Sequence, residues 1–221
     1  MIKAVIFDMD GLLIDSEPLW HRAVSEALNS VGVKPRQADF QHTLGIGLEA
    51  TVEFWYHKYP WKEPSLKEME GLIRRDFMVA FKRDGTLRPG ARQVLDLCKD
   101  KDLPMAIASS TLQEIIYMVV DTLKIRDYFQ VIYSAEHEAY AKPHPGVFIS
   151  TAGLLKVDPR RCLVFEDAPA GVLAAKAARM TCVAVPEPDV KDNPLIGIAD
   201  VVLESLEEFD EKTFKLLSSR G

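Results

Sequence analysis

The chain has 221 residues, of which 48% are apolar and 27% are charged, as is usual for a soluble globular protein. This composition excludes a disordered, a collagen-like and a disulfide-scaffold chain, and the length allows a substantial buried core. With 27 basic and 33 acidic residues the formal net charge is −6, so we expect no nucleic-acid partner and no membrane partner.

Short apolar runs that end in polar residues, Gly or Pro predict buried strands. In chain order these runs are residues 4–7, 105–108, 131–133, 162–165, 182–185 and, more weakly, 201–203. Helical patterns separate most of them: Thr111 and Glu114 have capping-box spacing before an apolar stretch at 115–123. Pro145 and Pro169 suit the starts of two further helices, over 147–155 and 172–178. This alternation predicts an α/β fold, a Rossmann-like parallel sheet with helices on both faces.

One long stretch, from about residue 17 to residue 83, has helical patterns but no convincing strand. The patterns cover residues 19–28, 49–59 and 66–82. We therefore predict a discontinuous α/β core domain, residues 1–15 and 85–221, which is interrupted by a helical cap domain at 16–84.

The cysteines and the N-terminal segment bear on the compartment. Cys98, Cys162 and Cys182 lie far apart and show no metal-ligand spacing, which favours reduced thiols in the core. The apolar N-terminal segment is interrupted by Asp8 and Asp10, unlike a secretory signal, and no run of about 18 apolar residues occurs. We expect a cytoplasmic protein.

The strongest chemical signal is Asp8-Met9-Asp10-Gly11, directly after the first predicted strand. Ligands bind at the carboxyl ends of strands in open parallel sheets, so both carboxylates are expected at a site. Two acids this close repel each other unless a cation lies between them. The alternative is an ordinary solvated turn or helix cap.

Three more polar features follow the ends of other predicted strands. Ser109 and Ser110 precede a helix start, where hydroxyls and free N–H groups can bind an anion, although they could equally cap that helix. Lys142 could place a positive charge on a phosphate, and Glu166 with Asp167 offers oxygen ligands suited to Mg²⁺. Taken singly, these could be a surface lysine and a loose acidic loop. Together the four features describe phosphoryl transfer.

With these motifs the chain resembles phosphatases of the haloacid dehalogenase superfamily, in the β-phosphoglucomutase-like subfamily that carries an inserted helical cap. The four motifs of that family correspond to the features above, and Asp15-Ser16-Glu17-Pro18-Leu19 matches its usual hinge. More narrowly, a few segments resemble the bacterial hexitol phosphatase and 2-deoxyglucose-6-phosphate phosphatase subgroup. These segments are Phe54-Trp55-Tyr56, Pro60-Trp61, Pro64-Ser65 and residues 176–180.

The resemblance implies a role for each site residue. Asp8 would be the nucleophile and Asp10 the acid and base of a hydrolysis that passes through an aspartyl-phosphate. The substrate, a small sugar or polyol phosphate of the hexose-6-phosphate type, would be bound by Asp8, Met9, Asp10, Ser109, Ser110 and Lys142. Mg²⁺, or alternatively Mn²⁺ or another divalent cation, would be held by Asp8, Asp10 through its backbone carbonyl, and Asp167, with Glu166 as a further ligand or as a support through water. We expect a monomer whose partner is this small-molecule phosphate monoester.

The cap departs from the family pattern at one position. Many relatives carry an arginine soon after the cap's glycine, but residues 44–48 here are Leu-Gly-Ile-Gly-Leu, and Gly47 cannot make a guanidinium contact. His21, His42 and His57 are other candidates for substrate contact. The aromatic run from Phe54 to Trp61 could line a sugar site, but packing of a small cap core explains it better.

Three other functions fit the sequence less well than a phosphatase does. A β-phosphoglucomutase would need cap cations for a second phosphate, and the cap's substrate loop has no arginine. A phosphonate hydrolase would need an early cap lysine, yet no lysine occurs between Lys3 and Lys34. A non-catalytic binding protein on this fold should have lost Asp8 or Asp10.

Overall fold

The computed structural model describes residues 1–43 and 46–219, and its centre is a parallel sheet. The six strands in this part of the chain are β1 (Ala4–Phe7), β2 (Met105–Ser109), β3 (Val131–Ser134), β4 (Cys162–Glu166), β5 (Thr181–Ala184) and β6 (Val201–Val202). They lie in the order β3-β2-β1-β4-β5-β6, and every neighbouring pair is parallel. The six predicted strands are thus confirmed to within one residue at each end.

The helices of the described residues include all six that the sequence predicts. They are α1 (Glu17–Ser30), α2 (Leu48–Lys58), α3 (Leu66–Asp84), α4 (Ala91–Lys99), α5 (Gln113–Thr122), α6 (Gly146–Leu154), α7 (Pro169–Ala177) and α8 (Glu211–Ser219). Helices α4 and α8 had no corresponding prediction. None of the described helices is long and apolar enough to cross a membrane.

The sheet is buried on both faces because successive side chains of a strand point to opposite sides. Val5 and Phe7 belong to one apolar cluster, which also contains residues of α4, α5 and α8. Ala4 and Ile6 belong to a second cluster, which contains residues of α6 and α7. The fold is therefore the predicted Rossmann-like sheet between two helical layers.

Helices α1, α2 and α3, called the cap helices below, form the inserted helical part of the chain. Helix α3 packs against both α1 and α2, and the described residues of 16–84 include no strand. The indole of Trp20 stacks on Phe77 at 3.7 Å between ring centroids, and Trp55 is fully buried beside Phe40. The domain boundaries at 15/16 and 84/85 stay a prediction.

One helix start has a capping box that was not predicted, and one predicted capping box does not form. Ser65 accepts a hydrogen bond from the Glu68 N–H, and the Glu68 carboxylate accepts one from the Ser65 N–H, so a capping box begins α3. The capping box predicted at Thr111 and Glu114 is wrong: α5 begins at Gln113, with Leu112 as N-cap and no side-chain cap. The Thr111 hydroxyl donates instead to Asp10 at 2.8 Å.

Candidate active site

A cavity lies between the carboxyl end of the sheet and the cap helices. Strand β1 is flanked by β2 and β4, so the residues that follow these three strands meet at one edge. The described lining residues are Asp8, Asp10, Glu17, Trp20, His21, Val24, Phe40, Thr43, Ile46, Leu48, Thr51, Ser109, Ser110, Thr111, Leu112, Ile115, Lys142, Glu166, Asp167 and Ala168. The four sequence motifs are thus brought together, although their outermost members are more than 150 residues apart.

Lys142 is a buried lysine at the centre of this edge, with its side chain only 2% exposed. Its ammonium group donates to Asp8 Oδ1 and to Glu166 Oε1, both at 2.5 Å, and to the Ala108 carbonyl at 3.2 Å. Burial alone would lower the pKa of this amine, but the two carboxylates outweigh that effect and raise it. Lys142 therefore stays charged in the interior.

Asp8 is buried at the end of the central strand. Its N–H donates to the Phe165 carbonyl at 3.0 Å, which ties the loop after β1 to β4. The pKa of the carboxyl group is raised to about 7, because burial and the nearby Glu166 raise it more than the Lys142 ammonium group lowers it. A cation bound beside Asp8 would favour the ionised form that a nucleophile requires.

Asp10 has a hydrogen-bond donor on each of its carboxylate oxygens. The Trp20 indole N–H donates to Oδ1 at 2.9 Å, and the Thr111 hydroxyl donates to Oδ2 at 2.8 Å. Burial raises the pKa of this carboxyl group, and the neighbouring Trp20, Ser16 and Thr111 side chains oppose the rise. Trp20 was missed by sequence analysis, since an aromatic residue on an amphipathic helix indicates core packing.

Glu166 is bound by protein donors on both oxygens. Lys142 contacts Oε1, while the backbone N–H groups of Asp167 and Ala168 both donate to Oε2 at 2.9 Å. In this arrangement Glu166 anchors Lys142 to the loop after β4. Direct ligation of a metal ion by Glu166 stays a prediction.

Gly11 and Asp167 fit together in a way that requires glycine. Gly11 has a φ of +77°, and a Cβ atom there would overlap the Asp167 carboxylate. Burial, together with Glu166 and Asp8, raises the pKa of Asp167 well above its usual range. The carboxylates of Asp8 and Asp167 are therefore held at one edge of the cavity without full charge compensation.

These two carboxylates are a suitable donor set for a divalent cation. Mg²⁺ prefers one or two carboxylates completed by carbonyl, water and phosphate oxygens, and the backbone carbonyl of Asp10 lies in the same loop as Asp8. Within residues 1–43 and 46–219, no three Asp, Glu, His or Cys side chains form a group that could by itself hold a metal ion. A metal ion here would thus need ligands beyond the side chains, as Mg²⁺ usually does.

The predicted anion-binding residues differ in which of their polar groups are available to a ligand. The Ser109 hydroxyl accepts from the Thr111 N–H at 3.1 Å and is almost fully buried. The Ser110 hydroxyl is buried without a hydrogen-bond partner in the described structure, which leaves it available to a ligand oxygen. The side chain of Met9 lies in the core, so Met9 could contact a ligand through its backbone alone.

The cap side of the cavity is largely apolar. Val24, Phe40, Ile46 and Leu48 line it, and its polar contacts include the His21–Glu17 pair at 3.2 Å and the Trp20 N–H on Asp10. His42 and His57 are not among the described lining residues. The aromatic residues from Phe54 to Trp61 pack in the cap and do not line the cavity, as the packing interpretation predicts. Of the predicted substrate loop, Leu44 and Gly45 lie outside the described residues.

Gly171 is a further requirement of the site that sequence analysis missed. It lies in the first turns of α7, where a Cβ atom would overlap the Glu166 carboxylate. We expect Gly171→Ala to lower the free energy of unfolding by about 1–3 kcal/mol, because the buried Glu166–Lys142 contact must shift. Gly153→Ala on α6 is the matched control, since open space surrounds Gly153 and alanine favours a helix. Urea denaturation of both variants measures the difference; equal stability would contradict this packing.

The sequence of the chain is similar to those of known proteins. A model of the family "haloacid dehalogenase-like hydrolase" matches residues 2–179. Hexitol phosphatase B from Escherichia coli strain K12 is 41% identical over 212 residues, which cover 96% of each chain. A phosphorylated carbohydrates phosphatase from Thermotoga maritima is 31% identical over 178 residues, covering 80% of this chain and 82% of that protein.

The same fold occurs among solved structures. A β-phosphoglucomutase from Clostridium difficile superimposes with a TM-score of 0.87 at 24% identity. The match covers 100% of this chain and 98% of the other, so it includes the sheet and the cap helices alike.

Proposed function

The chain belongs to the family of haloacid dehalogenase-like hydrolases, and from that premise we propose that it is a Mg²⁺-dependent phosphatase of small sugar or polyol phosphates. Hexose 6-phosphates such as 2-deoxyglucose 6-phosphate are the expected substrates. The observation that carries the proposal is the buried Asp8 carboxylate held by the Lys142 ammonium group at 2.5 Å. The names of two relatives, a hexitol phosphatase and a phosphorylated carbohydrates phosphatase, support the sugar or polyol class.

In the first chemical step Asp8 acts as the nucleophile. Lys142 holds Oδ1, and Oδ2 attacks phosphorus, so that an Asp8–phosphorus bond forms while the bond to the sugar oxygen breaks. Asp10 gives its proton to the departing oxygen, which leaves as an alcohol. Lys142 and the free Ser110 hydroxyl line the cavity and would bind the non-bridging phosphate oxygens.

In the second step water removes the phosphoryl group from Asp8. Asp10, now a carboxylate, takes a proton from the water molecule, whose oxygen attacks phosphorus and releases inorganic phosphate. Asp8, Asp167 and the Asp10 carbonyl would hold the divalent cation. When bound, the cation would neutralise part of the negative charge of the phosphate and of the Asp8 carboxylate, so that the two groups repel each other less.

The charge of the cavity supports hydrolysis of monophosphates over a mutase reaction. Lys142 is the one lysine or arginine among the described lining residues. A mutase must rebind a sugar that already carries a phosphate, which requires a second cationic subsite. The apolar wall formed by Val24, Phe40 and Leu48 offers none.

A phosphate-release screen tests the proposal. Purified protein is incubated with hexose, hexitol, nucleotide and phosphonate compounds, with Mg²⁺, with Mn²⁺ and with EDTA. We expect release from hexose and hexitol monophosphates that depends on the divalent cation. Conversion of β-glucose 1-phosphate to glucose 6-phosphate in the presence of a sugar bisphosphate, without net release of phosphate, would favour the mutase instead.

Two further properties belong to this proposal. The three cysteine thiols are buried and unpaired, which supports a reducing, cytoplasmic location. We also propose that the enzyme is a monomer, which size-exclusion chromatography with light scattering can test.

A further inference from the structure

We propose that Trp20 is a positioning residue for Asp10, which holds this carboxylate in the orientation needed for proton transfer. The proposal rests on the function proposed above, in which Asp10 is both acid and base. Trp20 lies on α1, one of the cap helices, whereas Asp10 lies in the loop after β1. The hydrogen bond between them at 2.9 Å therefore joins the cap directly to the group that transfers protons.

The two donors on Asp10 come from different parts of the fold. Thr111, which binds Oδ2, lies in the loop between β2 and α5 of the sheet layer. Trp20 binds Oδ1 from the cap side. A displacement of α1 away from the sheet would thus remove the donor on Oδ1 and leave the donor on Oδ2 in place.

The two donors also differ in their chemistry. An indole N–H can donate but cannot accept, whereas a hydroxyl group can do either. When Asp10 carries a proton on Oδ2, the Thr111 hydroxyl can rotate away from it and leave this proton to the departing oxygen, but Trp20 can bind only an unprotonated Oδ1. Trp20 therefore keeps Oδ1 as the acceptor in both states and assigns the mobile proton to Oδ2.

Packing within the cap fixes the indole in place. Its ring lies on Phe77 of α3, with centroids 3.7 Å apart and an angle of 11° between the planes. Phe77 is fully buried and contacts Phe81, so the stack is part of the cap core. An ion pair between Arg74 and Glu114 at 2.7 Å also links α3 to α5. The position of the cap helices thus decides whether the N–H reaches Asp10.

The test compares Trp20→Phe with Trp55→Phe. Phenylalanine at position 20 keeps a ring on Phe77 but lacks the N–H donor. Trp55 is a matched control, because it is a buried tryptophan of the same cap and its indole N–H has no hydrogen-bond partner in the described structure.

On a hexitol phosphate we expect Trp20→Phe to lower kcat by about tenfold to hundredfold, as for impaired general acid–base catalysis. KM should stay within about threefold and Trp55→Phe should match the wild type, since neither change removes a phosphate contact.

A second substrate separates positioning from general damage. p-Nitrophenyl phosphate has a leaving group that departs without a proton, so its first step does not need Asp10 as an acid. In a single turnover with enzyme in excess, Trp20→Phe should release nitrophenolate within about threefold of the wild-type rate. Equal losses on both substrates, or hexitol phosphate activity equal to that of Trp55→Phe, would overturn the proposal.

A third variant keeps the test decisive if Trp20→Phe folds poorly. Benzothienylalanine at position 20 has the size of tryptophan with sulfur in place of the N–H, so it retains the stack on Phe77. It should show the same kcat loss on hexitol phosphate, and unchanged turnover would overturn the proposal. Failure of the wild-type enzyme to release phosphate from any substrate is a separate result: it overturns the proposed function, and this inference with it.

Discussion

Replacement of Asp8 by asparagine is expected to abolish phosphate release, with a loss of at least about 10³-fold in kcat, as for removal of other catalytic nucleophiles. The amide is neutral and a poor nucleophile, so no bond to phosphorus can form. The substitution also removes one of the two carboxylates that contact the Lys142 ammonium group. The measurement is inorganic phosphate released over time from the best substrate of the screen, in the presence of Mg²⁺.

Asp127→Asn is the matched control for this substitution. Asp127 is an exposed aspartate and is not among the described lining residues of the cavity. The control should retain activity within about twofold, because exposed substitutions away from a site have small effects. Turnover by Asp8→Asn at a rate similar to that of Asp127→Asn would show that another group attacks phosphorus.

The sequence was sufficient to predict the sheet and the placement of the site. The buried strands are short apolar runs, and the polar residues that end them must meet because parallel strands share an edge. Asp8, Ser109 and Glu166 could therefore be assigned to one site without any knowledge of their contacts. In the proposed function, one buried lysine would supply the positive charge for an anionic substrate, although the net charge of the chain is −6.

The contacts of the individual carboxylates could not be predicted. Thr111 is 101 residues from Asp10, and a local pattern at Thr111 indicated a helix cap that does not form. The partners of Glu166 depend on the path of the loop after β4 and on the absence of a side chain at Gly171. Such contacts follow from packing between distant segments, on which spacing along the chain carries no information.

In the cap, too, the helices could be predicted from the sequence, but the contacts of individual side chains could not. Three helices were predicted from periodicity, and their bounds agree closely with the structure. The residues that face the cavity, such as Val24 and Ile46, were not predicted, since an amphipathic helix has an apolar face whether it covers a core or a cavity. Trp20 illustrates this limit, because one face of its ring is packed while its N–H binds Asp10.

Replacement of Lys142 by methionine is expected to reduce both activity and stability. Activity should fall by about 10²–10³-fold, since a preorganised charge on the transferring oxygens is lost. The substitution also leaves Asp8 and Glu166 buried without a countercharge. Removing one partner of a buried ion pair typically costs about 3–5 kcal/mol of unfolding free energy. Urea denaturation at pH 8 with EDTA measures this loss, with Lys191→Met, in an exposed ion pair with Glu204, as the control.

The loss of stability in Lys142→Met should depend on pH with a defined sign. The pKa of Asp8 in the folded protein is already raised to about 7, and removal of the ammonium group raises it further. The folded state then binds a proton more tightly than the unfolded chain does, so folding is favoured at low pH and this contribution is lost as pH rises through the folded pKa. The difference in unfolding free energy between the variant and the wild type should therefore be smaller at pH 5 than at pH 8. A difference that is the same at both pH values, or a variant as stable as Lys191→Met, would mean that Lys142 does not compensate these buried carboxylates.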